Sequence, residues 1–402
     1  MKRTDRPSGS RDLSHVCVVS ETYAPETNGV ATTLRHLVHG LRRDGVSVDL
    51  VLPRHPVRPY GYEAQIHSVP GIGVPGYPGV RCGIVQPATL TELWSRRPPE
   101  AVYIATEGPL GLAALHAART MEIPVVSGYH TRFDLYSHHY TLRALGGAVT
   151  GYLRWFHNRT ASTLVPDASL ARDLRSDGYE RVDVLGRGVD TELYSPRRRD
   201  PGLRSCWGVD ESAPALLYVG RIAAEKNLEL AIEAYRKVRA IRPGTRLILV
   251  GEGPQRPALQ RQHPDVTFAG IRRGEELARF YASADWFLFP SLSETFGNVT
   301  LEALASGLPV IAFDYAAAGS VMRDRVHGRL ADTADTTAWI SAAVGAALLP
   351  SDAHEAMRER AASAVAGLAW QDRARELGRI LASAADQPSA ALSGGTPLCS
   401  KH

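Results

Sequence analysis

Lysine is nearly missing from this chain. Of 46 basic residues only Lys2, Lys226, Lys237 and Lys401 are lysines, so a lysine kept in a loop draws attention. Charge of one sign is also lacking: 46 basic against 42 acidic residues leave a formal net charge of +4, no argument for a nucleic-acid partner. Cysteine is sparse. Cys17, Cys82, Cys206 and Cys399 show neither disulfide nor metal spacing, which fits a reducing cytoplasm, and Cys17 and Cys82 sit in apolar runs as small core residues. No run of eighteen apolar residues exists, which excludes a membrane-spanning helix. The basic segment 1–10 has no apolar stretch of the kind a secretory signal needs. No Gly-x-Gly-x-x-Gly follows the first apolar run, which disfavours a dinucleotide dehydrogenase. No Asp-x-Asp pair ends a strand-like run, so a metal held by such a pair is not expected.

What remains is the pattern of a folded α/β protein. A chain of 402 residues exceeds one ordinary core, and 44% hydrophobic with 22% charged residues is a globular composition. Short apolar runs alternate with helix-length segments, first at 15–20, 46–53, 80–85, 101–106, 123–127, 162–166 and 182–185, then at 215–220, 246–251, 266–270, 286–290 and 308–313. Such alternation predicts parallel sheets with helices on both faces, and two such sets predict two doubly wound, Rossmann-like domains. The polar, helix-breaking stretch at 195–200 marks the break, giving domains over 15–195 and 196–368. Residues 369–386 read as one amphipathic helix, and 1–14 and 387–402 as disordered ends. Ligands of open α/β sheets bind at the carboxyl ends of the strands, so the expected site is the cleft between two facing domains.

The segment Pro290 to Val310 is the most informative. Glu294 ends a loop after an apolar run; Glu302 lies one to two turns inside the next helix, which stops at Ser306-Gly307. Between the two carboxylates lie helix N-terminal N–H groups, where a phosphate is favoured, and the carboxylates suit sugar hydroxyls. By spacing alone they would be solvated helix charges. The whole frame, Phe-Pro-Ser…Glu294…Phe296-Gly297…Glu302-Ala303…Gly307…Pro309-Val310, resembles the E-x7-E signature of retaining glycosyltransferases of family 4, which have the GT-B fold.

That resemblance extends along the chain. In Gly220-Arg221-Ile222-Ala223-Ala224-Glu225-Lys226-Asn227, Arg221 leaves a strand and Lys226 opens the next helix. As cations near a helix start they need a reason, and the family loop implies that they clamp a leaving diphosphate. The resemblance further implies that Gly251 approaches the nucleotide and that the backbone at Ile271 meets its base. Glu302 would hold the ribose, and Glu294 the sugar, helped by N–H groups at Phe296 and Gly297. The helix start at Asn298, Val299 and Thr300 would hold phosphate. In the first domain Asn28-Gly29 stands where the family shows two glycines; Gly29 would let the backbone approach donor or acceptor, with a plain tight turn as the alternative. His130, just after a strand, matches the family histidine that meets the transferred sugar, although a lone histidine there is more often structural. Tyr136 and His138 would line an acceptor pocket. Gly186-Arg187-Gly188-Val189-Asp190 resembles the family's hinge turn. Its Arg187, assigned here to acceptor binding, points to the branch of GDP-mannose-dependent α-mannosyltransferases and sulfoquinovosyl diacylglycerol synthases. In GT-B enzymes the last helix returns to brace the N-terminal domain.

The implied reaction is metal-independent and cofactor-free, the nucleotide-sugar being a substrate. A hexose, mannose from GDP-mannose in the first reading, passes to a lipid or glycolipid with retained configuration. The leaving phosphate deprotonates the acceptor in a same-face displacement. A UDP-sugar donor (glucose, glucuronate or sulfoquinovose) with diacylglycerol is the near alternative; a nucleotide-sugar epimerase or a silent binder is the alternative of another class. A phosphorylase would need a late lysine for pyridoxal phosphate, and none follows Lys237 before Lys401. The loop 52–60 and segment 142–159 mix arginines with aromatics, as suits a peripheral contact with the inner face of the cytoplasmic membrane or, equally, a core-facing helix with a solvated side.

Overall fold

The protein is described from a computed structural model covering residues 13–24, 26, 28–55, 64–73, 81–130, 146–209, 213–294, 296–333 and 335–386. It divides into unit 1, Met1–Gly186 with Trp370–His402, and unit 2, Arg187–Ala369.

In unit 1 the strands are β1 (His15–Val19), β2 (Ser47–Pro53), β3 (Gln65–Val69), β4 (Gly71–Gly73), β5 (Arg81–Gly83), β6 (Ala101–Ile104), β7 (Val125–Gly128), β8 (Ser162–Val165) and β9 (Val182–Val184). Seven of them form one sheet in the order β3-β2-β1-β6-β7-β8-β9. Every pairing in it is parallel, with Val16 opposite Val48 on one side and Ala101 on the other. Strands covered by helices on both faces read as unbroken apolar runs, and β1 is buried throughout. The chain builds outward from β1 to β3, then returns to β6 and builds the other way. The loops after β1 and β6 therefore diverge at a topological switch point, where open α/β sheets bind ligands.

Unit 2 repeats the plan with β10 (Ala215–Val219), β11 (Arg246–Val250), β12 (Thr267–Gly270), β13 (Trp286–Phe289), β14 (Val310–Phe313) and β15 (Gly328–Ala331). The order is β12-β11-β10-β13-β14-β15, again all parallel, so its switch point lies between β10 and β13.

Three differences from the sequence reading have physical reasons. The edge strands β3 and β15 lie outside the apolar runs because edges carry polar, half-exposed residues. The run at 80–85 yields β5, which pairs antiparallel with β4 in a separate ribbon and does not join the sheet. The division into units falls at Gly186/Arg187, ahead of the polar stretch at 195–200. Entry to and exit from unit 2 pair with each other, Val189 N donating to Leu368 O at 2.8 Å. The polar stretch is itself tied into unit 2 by Arg199, which donates to Asp285 Oδ1, and by Asp200 N, which donates to Ser283 Oγ at 2.9 Å. The final helix, Trp370–Ala385, belongs to unit 1: Ala374, Leu377 and Leu381 share a core with Leu34, Leu37 and Leu41 of the helix Gly29–Arg43. The ends predicted as disordered lie outside the described residues, apart from Leu13 and Ser14.

Asp285 anchors the start of β13. Its Oδ2 accepts from Arg204 Nη1 at 2.8 Å and from Ala215 N at 2.8 Å, and its Oδ1 pairs with Arg199 Nη2 at 3.0 Å. Burial alone would raise this carboxyl, but Arg204, the Ala215 N–H and Arg199 hold it below the usual aspartate value. A depressed carboxylate contributes stability above its unfolded pKa and loses it as pH falls. Asp285→Ala should therefore cost about 3–5 kcal/mol in urea unfolding at neutral pH, because it strands buried arginine. The gap from wild type should narrow on acidification below about pH 4.

Candidate active site

The switch point of unit 2 gathers the loops after β10 and β13. Leaving β10, the chain passes Arg221, makes a short 3-10 turn at Ala224–Lys226, and starts the helix Leu228–Ile241 only after Asn227, whose backbone is left-handed. Lys226 thus precedes the helix and does not open it, which spares a cation the unfavourable first turn. Its Nζ pairs with Glu294 Oε1. Both side chains are largely sheltered, 12% and 15% exposed, so the pair is set in advance of any ligand. Arg221 Nη1 meets Glu225 Oε1 at 3.2 Å, with the arginine half-exposed. The loops are cross-braced: Tyr218 Oη donates to Arg221 O at 2.9 Å and Ser293 Oγ to Glu225 O at 3.1 Å. Tyr315 Oη accepts from Glu294 N at 3.0 Å while donating to Ser291 O at 2.8 Å, which fixes the backbone that carries Glu294.

The helix Asn298–Ala305 begins after Gly297, whose φ of +89° lies in the left-handed region that favours glycine. Phe296 is buried and its carbonyl accepts from Ala317 N at 2.8 Å. Asn298 and Val299 are half-buried. Thr300 N already donates to Gly297 O at 3.0 Å, so an anion would be met by the positions before it. Glu302 is partly buried and accepts from Tyr281 Oη at 2.9 Å. Burial pushes its carboxyl up to about 7, against the opposing hydrogen bonds of Tyr281 and Tyr194. A carboxyl so placed, with one edge taken by tyrosines, can accept from a diol on its other edge.

Gly251 sits where a Cβ would fall 1.9 Å from Gly220 O, so the close packing of the β10 and β11 loops itself demands glycine. Ile271 follows β12 and is half-exposed, an apolar surface beside its own backbone.

In unit 1, Asn28 caps the helix Gly29–Arg43. Its Oδ1 accepts from Ala31 N at 2.8 Å, and its Nδ2 donates to Thr22 Oγ1 at 2.7 Å and Glu26 Oε2 at 3.1 Å. Gly29 is the first helical residue and not a tight turn; a Cβ there would meet nothing within 4 Å, so the backbone is open to a ligand. His130 is buried at the end of β7, its Nε2 2.9 Å from Tyr103 Oη. Arg187 is buried and is the first residue of unit 2. Tyr136 and His138 lie outside the described residues. The tyrosines 194, 281 and 315 escaped the sequence reading. Tyr315 stands two residues beyond β14, at a strand's carboxyl end, a position that signals a site, whereas Tyr281 lies in the last turn of the helix Gly274–Ser283 with no local signal.

A family model described as Glycosyltransferase Family 4 matches residues 27–193, and one described as Glycosyl transferases group 1 matches 213–347. The chain is 34% identical over 304 residues to a GDP-mannose-dependent alpha-mannosyltransferase of Mycolicibacterium smegmatis, covering 74% of this chain and 79% of that one. It is 28% identical over 325 residues to an alpha-monoglucosyldiacylglycerol synthase of Streptococcus pneumoniae, covering 77% and 74%. In fold it is similar to Anabaena HepE, solved with UDP and glucose, at a TM-score of 0.70 and 17% identity over 92% of this chain and 100% of that one.

The raised Glu302 has a measurable sign. Its folded-state pKa exceeds the unfolded value, so the stability it contributes is complete below about 4.5 and is lost as pH rises through about 7. Across that window wild type should lose about 1–3 kcal/mol, a Tm drop of a few degrees, relative to Glu302→Gln. Parallel Tm–pH curves for the two proteins would remove burial as the cause.

Proposed function

The chain belongs to glycosyltransferase family 4 and is a hexosyltransferase built on the GT-B fold, and from that premise we propose that it transfers mannose from GDP-mannose to a lipid or glycolipid with retention of anomeric configuration. The observation that carries the transferase chemistry is the sheltered Lys226–Glu294 pair at the β10/β13 switch point, with Arg221 beside it. GDP-mannose as donor is supported by the similarity to the Mycolicibacterium enzyme over most of its length, and a lipid acceptor by the similarity to the diacylglycerol-directed Streptococcus enzyme.

In this reading the donor diphosphate takes Lys226 and Arg221 as counter-charges, and the start of the helix Asn298–Ala305 adds N–H donors. Glu294, released from Lys226, accepts from the sugar hydroxyls, and Glu302 accepts from the ribose. Gly251 and Ile271 border the nucleotide. His130, braced by Tyr103, meets the sugar, and Asn28, Gly29 and Arg187 are assigned to acceptor and donor as the family resemblance implies. No carboxylate is assigned as nucleophile. The departing phosphate oxygen takes the proton of the acceptor hydroxyl as that oxygen bonds to the anomeric carbon from the same face, through an oxocarbenium-like state. Neither a metal nor another cofactor is assigned a step. Among the described residues no three His, Cys, Asp or Glu side chains are grouped to hold a metal.

A peripheral position on the inner face of the cytoplasmic membrane belongs to the same proposal. No helix among the described residues is long and apolar enough to cross a membrane. The helix Gly146–His157 exposes Val149 and Trp155, and Arg159 stacks 4.3 Å over the Trp155 ring, a mixed apolar and cationic surface suited to headgroups. The second reading keeps the chemistry and changes the donor to a UDP-sugar.

Released nucleotide should be followed with GDP-mannose, UDP-glucose, UDP-glucuronate and UDP-galactose, with and without diacylglycerol vesicles. Lipid-dependent release of GDP is expected; release only of UDP would transfer the proposal to the second reading, and no turnover at all would count against both. Lys226→Ala should lower turnover by about a hundredfold or more, the scale of one lost charge-stabilising group. A near-normal rate would remove the lysine from the diphosphate site. A chelator should leave the rate unchanged, and its abolition would reveal a metal step.

A further inference from the structure

Beside the switch point of unit 1, the loops after β1 and β2 together with β5 form a small open pocket that donor chemistry leaves unused, lined by Glu21, Tyr23, Glu26, Pro53, His55 and Arg81. Its acidic groups are built in. Glu21 Oε1 accepts from Leu110 N at 3.1 Å, at the start of the helix Pro109–Thr120. Residue 108 is glycine, and a Cβ there would lie 1.9 Å from Glu21 Oε2, so the fold keeps space for that carboxyl. The Glu21 backbone is fixed as well, its N–H donating to Thr106 Oγ1 at 2.9 Å across the switch point. Glu26 accepts from the Thr22 hydroxyl and from Asn28 Nδ2. Arg81 donates through Nη2 to Gly71 O, while its buried Nε has no hydrogen-bond partner among the described residues.

The chemistry of this set is selective. Burial pushes Glu21 up to about 7, with the Leu110 N–H opposing and Glu107 adding to the rise; burial raises Glu26 too. A phosphate here would face two carboxyl groups. A neutral polyol would instead donate to both and accept from the Arg81 guanidinium that lines the pocket, satisfying groups on each side without bringing charge.

We propose that this pocket binds an uncharged, hydroxyl-bearing head of the acceptor, with Glu21 and Glu26 accepting from its hydroxyls and Arg81 donating to them, and that it disfavours a phosphate-bearing head. This rests on the glycosyltransferase reading above and narrows its acceptor to neutral glycerol or sugar lipids.

The test uses the full chain with whichever donor it turns over. The acceptors are dioctanoylglycerol and its glucoside, against dioctanoyl phosphatidylglycerol and phosphatidylinositol. Wild type should favour the neutral pair by about tenfold or more in kcat/KM. Glu26→Gln and, separately, Arg81→Gln should raise KM for the neutral acceptor by about tenfold, as expected for one lost charged hydrogen bond, with little change in kcat. Nucleotide affinity and Tm report whether each variant is folded. A preference for the phosphate-bearing lipids, or an unchanged acceptor KM in both folded variants, overturns the pocket assignment while leaving the transferase reading intact. If wild type turns over no acceptor, the transferase reading is what fails. The pocket is then judged by equilibrium binding of octyl glucoside against octyl phosphate: loss of glucoside binding in Glu26→Gln supports it, and tighter phosphate binding by wild type overturns it.

Discussion

A parallel sheet cannot be closed by tight turns. Each return crosses a face, and when the chain has built as far as it can to one side it must come back to the middle and build to the other. In unit 1 this happens between β1 and β6, in unit 2 between β10 and β13. The two loops that leave those central strands go opposite ways, so their backbones cannot fill the gap between them. Side chains must fill it, and polar ones face water there. The same constraint places Arg221, Lys226 and Glu294 together in unit 2 and Glu21, Thr106 and Glu107 together in unit 1. The chemistry occupies a vacancy that chain topology makes unavoidable.

What the two vacancies do with their carboxyls differs. In unit 2, Glu294 is met by a lysine, and Glu302, a little deeper, by phenols. In the proposed reaction the lysine is surrendered to the donor phosphate, and the freed carboxylate turns to the sugar. Phenols carry no charge to surrender, so Glu302 keeps its partners and its elevated proton affinity. In unit 1, Glu21 is held by backbone N–H groups, and Glu107 accepts from His157 Nε2 at 3.1 Å. That histidine is fully enclosed, its Nδ1 2.8 Å from Ser127 Oγ. The arrangement has the residue types of a hydrolytic triad, yet no solvent or substrate reaches the serine, so it serves as internal scaffolding for the loop after β6.

Much of this was legible in the residues alone. The central strands are covered on both faces and so are written as unbroken apolar runs, while the edge strands β3 and β15, being half-wet, are not. The frame from Pro290 to Val310 is local: strand, loop, glycine, helix and glycine stop follow one another, so Glu294 and Glu302 could be placed without a structure. Asn28 illustrates the opposite case. Its sequence position says nothing of the structural work that the geometry shows, both ends of its amide bonding the loop and the helix cap. Tyr281 and Tyr315 act on glutamates 21 residues away through a fold that brings helix and strand ends together, and no spacing rule reports such a pairing. Tyr136, His138 and the segment around them fall outside the described residues.

The helix Trp370–Ala385 supplies Ala374, Leu377 and Leu381 to a core shared with Leu34, Leu37 and Leu41, which are encoded more than three hundred residues earlier. Unit 1 is therefore interrupted in the gene by the whole of unit 2. On a ribosome that delivers the chain from its N-terminus, the apolar stripe of Leu34, Leu37 and Leu41 waits uncovered while some 180 residues of unit 2 are synthesised. Unit 2, being continuous, has all its strands in hand before the first unit has its last helix. The order of maturation thus runs against the order of the code: the second unit completes first, and its completion is what carries the covering helix of the first into existence.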